Sequence, residues 1–238
     1  MGPAFGRAHS RPTSPLLATI CRMLEIGPRS PGRVRIEEVH RRFGERVILG
    51  GVDLKAEPGS LSVVMGSNGS GKTSLLRIVG GLLAADGGRV SICDAPAGTG
   101  HTGYLPAGDR GLHWRLTGLQ NLTFFARLTG LPEVRGRVGA AARAAGAEDL
   151  LSSRLGDCST GQRRRLAVAQ AIVGSPPVLL LDEPYADLDG FGVARVDAIV
   201  NTWCERGGAV ISAAPTPELA PSTPEPVIVR LEDPGAVA

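Results

Sequence analysis

Eight consecutive residues, Gly66-Ser67-Asn68-Gly69-Ser70-Gly71-Lys72-Thr73, match the pattern G-x-x-x-x-G-K-[ST], with Ser74 next in line. Glycines at this spacing let successive backbone N–H groups turn inward and cradle phosphate oxygens. Lys72 then neutralises phosphate charge and the Thr73 hydroxyl meets Mg²⁺. A chance glycine-rich turn is the competing reading, but the strand-like Leu61 to Met65 before the loop and the helical period after it supply the context that the chemistry needs.

A second group lies about a hundred residues on. Val178-Leu179-Leu180-Leu181 is a continuous apolar run, as in a strand buried on both faces, and it delivers Asp182 at its carboxyl end, where open α/β sheets bind ligands. Asp182 there can hold Mg²⁺ through water, and Glu183 can act as general base on an attacking water. Alone, an Asp-Glu after a strand is an ordinary solvated turn; paired with the glycine loop it becomes half of a phosphoryl-transfer site. Ser159-Thr160-Gly161-Gln162, after Cys158, opens a helix, where a serine hydroxyl and free N–H groups can hold phosphate. By itself this segment reads as a plain N-cap.

The elements that must position these residues follow from periodicity. Strand-like runs occupy Val34 to Val39, Ile48 to Leu54 and Leu61 to Met65. After Lys72 the residues Leu75, Leu76, Val79 and Leu82 keep a helical period that Gly80-Gly81, and later Gly87-Gly88, close. Thr117 to Leu128 reads as a helix with Leu119, Leu122, Phe125 and Ala126 on one face, and an Ala-rich helix runs from about Val134 to Leu151. Further helices span Gly161 to Val173 and Gly192 to Cys204, with strands at Ala209 to Ser212 and Val227 to Leu231. The alternation predicts an α/β fold with a parallel sheet.

Composition narrows the classes. Of 238 residues, 42% are hydrophobic and 21% charged, which suits one globular domain with a sizeable core. The longest apolar run, Ile78 to Ala85, falls short of the roughly 18 residues that cross a bilayer. The net charge of +3 is small, and of 26 basic residues only Lys55 and Lys72 are lysines, so arginine richness reflects base composition rather than a nucleic-acid footprint. Arg163-Arg164-Arg165 is the tightest basic run and reads as a solvated or phosphate-facing helix turn. Cys21, Cys93, Cys158 and Cys204 are scattered, so reduced thiols are expected rather than a zinc site or disulfides. Residues 1–32, with no acid before Glu25, read as a disordered leader or as sequence upstream of a true start at Met23.

Taken in order, the glycine loop, C-S-T-G-Q leading into R-R-R-L-A-V-A-Q-A, V-L-L-L-D-E-P and A-D-L-D resemble the ATP-binding cassette (ABC) ATPases over residues 33–231. The resemblance implies a P-loop NTPase fold: a RecA-like parallel sheet core, an N-terminal antiparallel β subdomain and an α-helical subdomain at about 113–160, with 232–238 as a tail. It implies ATP and Mg²⁺ as ligands and Phe43 as the ring that stacks on adenine, with an ordinary core Phe as the alternative. Ser159, Gly161 and Gln162 would contact the nucleotide of a second cassette in a head-to-tail dimer, and Asp187 or Asp189 would link the two sites or cap a helix. A separate transmembrane permease subunit is the other implied partner, with the chain at the cytoplasmic face of the cell membrane. Cassettes that act on DNA or ribosomes are tandem or interrupted by a long coiled coil, and this length fits neither.

Three motifs depart from the family pattern. The signature, usually L-S-G-G-Q, has Cys158 and Thr160 in place of Leu and the first Gly. The Q-loop segment, Gly103 to Arg110, carries no glutamine, and Asp109 stands as its replacement; the following stretch to Gly118 resembles ABC-2-type exporters. The strand that normally ends in S-T-H ends here in Ser212-Ala213-Ala214, so the switch histidine position holds Ala214. Slow hydrolysis is expected, down to a degenerate cassette that binds ATP and dimerises as the regulatory half of an asymmetric pair.

Overall fold

The computed structural model describes residues 25–98, 100–108 and 111–231. Strands β1 (Val34–Phe43) and β2 (Arg46–Ala56) form an antiparallel hairpin, extended beyond the runs expected from alternation. With β4 (Gly87–Ile92) and β5 (Ala95–Pro96) they make a four-stranded sheet in the order β2-β1-β4-β5. A second sheet is parallel throughout, in the order β6-β7-β8-β3-β9, from β3 (Leu61–Met65), β6 (Thr102–Leu105), β7 (Val178–Asp182), β8 (Ala209–Ala214) and β9 (Val227–Arg230).

Alternate residues of the parallel sheet feed two cores. Val64, Leu180, Ile211 and Ala213 pack with α1 (Lys72–Val79) and the antiparallel sheet. Val63, Met65, Leu179, Leu181 and Val210 pack on the opposite face with α4 (Thr160–Ile172), α5 (Gly190–Glu205) and the helices α2 (Gly118–Leu128) and α3 (Val134–Ala145). Trp203 is fully buried in that second core, its indole Nε1 donating to the Pro176 carbonyl at 2.8 Å.

Several sequence expectations are corrected here. The helix after the glycine loop ends at Val79, and Leu82 is 63% exposed beyond it. In α2 the buried stripe is Gly118, Asn121, Leu122 and Ala126, while Leu119 faces solvent. Helix α3 stops at Ala145 rather than near Leu151, because Gly146 turns left-handed (φ 64°) with the Phe191 ring 2.6 Å from where a Cβ would sit. Strands β4, β5 and β6 were hidden from the pattern. Gly87-Gly88 opens β4 instead of closing a helix, and a Cβ at Gly103 in β6 would lie 1.9 Å from the Ala171 carbonyl oxygen. Order also begins before residue 33: Ile26 is buried, Arg29 N donates to Ser175 O at 3.0 Å and Gly32 N to Gly207 O at 2.9 Å. Residues 1–24 of the expected leader, the 232–238 tail and Asp109 lie outside the described residues.

Candidate functional site

The Gly66–Gly71 loop leaves β3 and enters α1, as the motif requires. Gly71 caps the helix at φ 99°, and a Cβ there would lie 2.8 Å from Leu49 Cδ2 and 2.9 Å from the Ile48 carbonyl oxygen. Only glycine fits both the conformation and the space against β2. Gly69 takes φ 88° and stays exposed with Ser67 and Asn68, while Ser70 is buried. Lys72 is 6% exposed, and its Nζ donates to Gly66 O and Ser67 O, each at 2.8 Å, which puts the ammonium on the loop's own carbonyls. Burial pulls its pKa below the usual lysine value, opposed by the charges of Glu183 and Asp182. Thr73 and Ser74 occupy the first turn of α1, both half-buried.

Asp182, the last residue of β7, is 1% exposed and accepts from Thr73 Oγ1 at 2.8 Å. Burial, with the Glu183 charge adding to it, raises its pKa; the Thr73 hydroxyl and the Ala107 backbone N–H oppose the rise. A hydroxyl that would ligate Mg²⁺ and a carboxylate that would hold it through water are thus already adjacent, and the residues present fit that ion. Glu183 follows in a left-handed conformation (φ 48°), its N–H donating to Ala213 O at 2.9 Å and its side chain half-buried. The structure therefore brings Gly66 to Thr73, Asp182 and Glu183 to one place from two strands 109 residues apart at the Thr73–Asp182 contact.

Phe43 sits at the end of β1, opposite Arg46, with its ring 50% exposed and the Arg41 guanidinium 4.6 Å from its centroid. Arg41 is itself tied to Asp86 at 2.7 Å. Half exposure removes the core-Phe alternative, and the Arg41 guanidinium covers one face of the ring. Arg46 carries the same hairpin to the loop, its Nη2 lying 3.7 Å from where a Cβ at Gly69 would be.

The signature residues lie elsewhere. Ser159 caps α4 in a capping box with Gln162, its side chain accepting from Gln162 N and its N–H donating to Gln162 Oε1. Among the described residues none of Ser159, Gly161 and Gln162 hydrogen-bonds to the glycine loop. Gly161 has a role within the chain too, since a Cβ there would meet the Asp187 carbonyl oxygen at 2.9 Å. Of Asp187 and Asp189, it is Asp189 that caps a helix: its Oδ1 accepts from Gly192 N at 2.8 Å. Asp187 is exposed at φ 61°.

Two features were not legible. The arginine run is neither uniformly solvated nor phosphate-facing, for Arg164 is 1% exposed and bonded to backbone carbonyls. Its place on the stripe shared with Ala167, Val168 and Ala171 was the available signal. Tyr185 Oη donates to Asp197 Oδ1 on α5 and anchors the segment after Glu183; burial raises both pKa values. Ala214 is fully buried at the end of β8, paired with Met65 of β3, and the three histidines among the described residues have other neighbours: His40 lies in β1 beside Glu38, His101 abuts the opposite end of the sheet and His113 packs on Phe124.

The sequence matches the family model for the ABC transporter over residues 49–186. The chain is 38% identical over 190 residues to a protein of Rhizobium meliloti (strain 1021) named cytochrome c biogenesis ATP-binding export protein CcmA, covering 78% of this chain and 92% of that one. A protein of the same name from Cupriavidus necator is 38% identical over 173 residues, covering 71% and 76%. Among solved structures, cbiO1 from Clostridium perfringens, described as part of the ABC transporter complex cbiONQ, aligns with a TM-score of 0.65 and 28% identity, covering 77% of this chain and 78% of that one. The fold also matches a dimeric post-hydrolysis state of the cassette MJ0796 bound to ADP and Pi, with a TM-score of 0.74, 24% identity and coverage of 84% and 94%.

Proposed function

The chain belongs to the ABC transporter family, as an ATP-binding, ATP-hydrolysing subunit that works with a membrane subunit and a second cassette, and we propose that its relatives' export role in cytochrome c biogenesis is also its own. No helix among the described residues is long and apolar enough to cross a membrane. The chain docks at the cytoplasmic face of the membrane on its permease in this reading.

ATP lies with its phosphates on Gly66 to Gly71, Lys72 beside the terminal phosphates and its adenine against Phe43. Mg²⁺, held by Thr73 and through water by Asp182, would supply charge stabilisation for the phosphoryl group. Glu183 orients and deprotonates the attacking water, and its backbone, fixed at Ala213, keeps that carboxylate at the strand end. Ser159 and Gly161, away from their own chain's loop, close over the partner's nucleotide. The observation that carries the reading is the Thr73 to Asp182 contact at 2.8 Å, which joins the two phosphate-binding halves. A second reading, slow hydrolysis in an asymmetric pair, is favoured by Ala214.

Sedimentation of Glu183→Gln with saturating MgATP tests the assembly. A dimer is expected, because the nucleotide persists between the two chains. Monomers at high protein concentration would contradict the homodimer and direct the reading to a heterologous partner cassette.

A further inference from the structure

Helix α4 begins at the signature and runs inward, and its second turn carries Arg164, 1% exposed. A guanidinium is costly to bury unless its N–H groups are satisfied, and five donors in a planar fork suit several acceptors at once. Here Nη2 donates to the carbonyl oxygens of Asp182, at 2.8 Å, and of Glu183. Nη1 donates to the carbonyls of Pro106 and, at 3.3 Å, of Gly108. One side chain therefore spans three segments: the helix behind Ser159, the end of β7 and the segment leaving β6.

The Glu183 backbone needs such support. A left-handed conformation at a residue with a Cβ is disfavoured, and it persists only where surroundings fix it. The Ala213 carbonyl holds its N–H at 2.9 Å, and Arg164 holds its carbonyl, which also accepts from Ala186 N at 3.1 Å. Both peptide groups flanking the Glu183 Cα are pinned, so the direction of its side chain is set from behind.

We propose that Arg164 is a positioning residue for hydrolysis: it aims Glu183 at the attacking water and ties that aim to the signature helix, which acts on the nucleotide of the opposite site. The inference rests on Glu183 being the base. A movement of α4 as Ser159 meets the partner's nucleotide reaches the Asp182 and Glu183 carbonyls through one rigid fork. These bonds go to backbone carbonyls, which leave the Asp182 carboxylate and the Gly66–Thr73 loop to the nucleotide, so loss of Arg164 is expected to lower turnover more than affinity.

The test compares the full-length parent with Arg164→Lys, which keeps the charge but loses the fork, and Arg164→Gln, which loses the charge and keeps one NH2 donor group. Thermal melting, MgATP affinity, kcat and KM are measured on each. Misplacement of a reacting group by about 1 Å costs on the order of 10²-fold, so kcat is expected to fall roughly 10- to 100-fold in Arg164→Lys, with affinity and KM within about twofold of the parent. Arg164→Gln, shorter and with donors on a single nitrogen beside an acceptor oxygen, should lose at least as much of kcat as Arg164→Lys. A folded variant with parental kcat overturns the proposal. So does a loss of affinity that matches the loss of kcat, or the absence of a cooperative melt in both variants, since either makes Arg164 a scaffold residue only. Glu183→Gln is assayed beside them: parental turnover in that variant means that the base assignment has failed, irrespective of Arg164.

Discussion

Strands β7 and β8 are neighbours in one parallel sheet, in register from Val178 with Ala209 to Asp182 with Ala213, and their ends could hardly differ more. At the end of β7 lie Asp182, bonded to Thr73, and Glu183, braced by Ala213 and Arg164. At the end of β8 lie Ala213 and Ala214, fully buried, and then Pro215. The β8 end supplies backbone to its neighbour and no side chain to a phosphate. Binding a nucleotide and orienting its terminal phosphate for attack are separable demands, and the side chains at the two strand ends differ in what they can offer to each.

The largest expected gain comes from giving β8 what it lacks. Ala214→His combined with Pro215→Ala should raise turnover by about 10²-fold, the scale of one transition-state hydrogen bond, with affinity nearly unchanged. The second substitution is needed because proline confines the preceding residue to extended conformations. Initial rates against Pro215→Ala alone decide it, and equal rates would mean that another group already does this work.

Lys72→Ala strips the phosphate side of the comparison. Hydrogen bonds to charged groups contribute about 1.5–3 kcal/mol, so MgATP should bind roughly 10- to 100-fold more weakly in calorimetric titration. Unchanged affinity would move the nucleotide off the glycine loop.

A smaller effect follows from pH. Burial raises the Asp182 pKa, so its carboxyl keeps a proton to higher pH than an ordinary carboxylate. In the nucleotide-free chain the sign is that of a raised folded pKa: the contribution to stability is present below the unfolded value and is lost as pH rises through the folded one. Mg²⁺ needs the carboxylate, so MgATP affinity should fall on acidification from above the usual carboxylate range, by on the order of tenfold per pH unit for one displaced proton. Asp182→Asn should flatten that dependence in fluorescence titrations.

Smallest is Phe43→Ala. Base stacking on an aromatic ring is worth about 1–3 kcal/mol, and a ring that is half exposed belongs at the lower end, so affinity should fall about fivefold for ATP. Loss of the ring should also narrow the difference between ATP and inorganic triphosphate. An unchanged difference would return Phe43 to a purely structural role.

The sequence showed the residues of the β7 end because their chemistry needs contiguous motifs: a glycine loop before a helix, and an apolar strand ending in Asp182-Glu183. It showed most of the parallel sheet for the same reason. What escaped it depended on partners distant in the chain. Position 103 of β6 takes glycine because α4 passes too close for any Cβ, and Gly88 lies in β4 with the Glu38 carbonyl oxygen 2.2 Å from where its Cβ would be. Arg164 looked like one of three surface arginines until its carbonyl acceptors, up to 58 residues away, were brought around it. Leu119 and Leu82 fit a helical period yet remain exposed, for periodicity marks a face without saying what covers it.

The division of labour between the two strand ends is tested most directly by measuring MgATP affinity and hydrolysis rate on the parent and Glu183→Gln in parallel. Removal of a general base costs about 10²- to 10⁴-fold in rate. A loss of that size is expected with affinity within about twofold, because Glu183 acts on water while the loop, Lys72 and Thr73 hold the nucleotide. Parental turnover in Glu183→Gln would contradict it and place the base away from the end of β7.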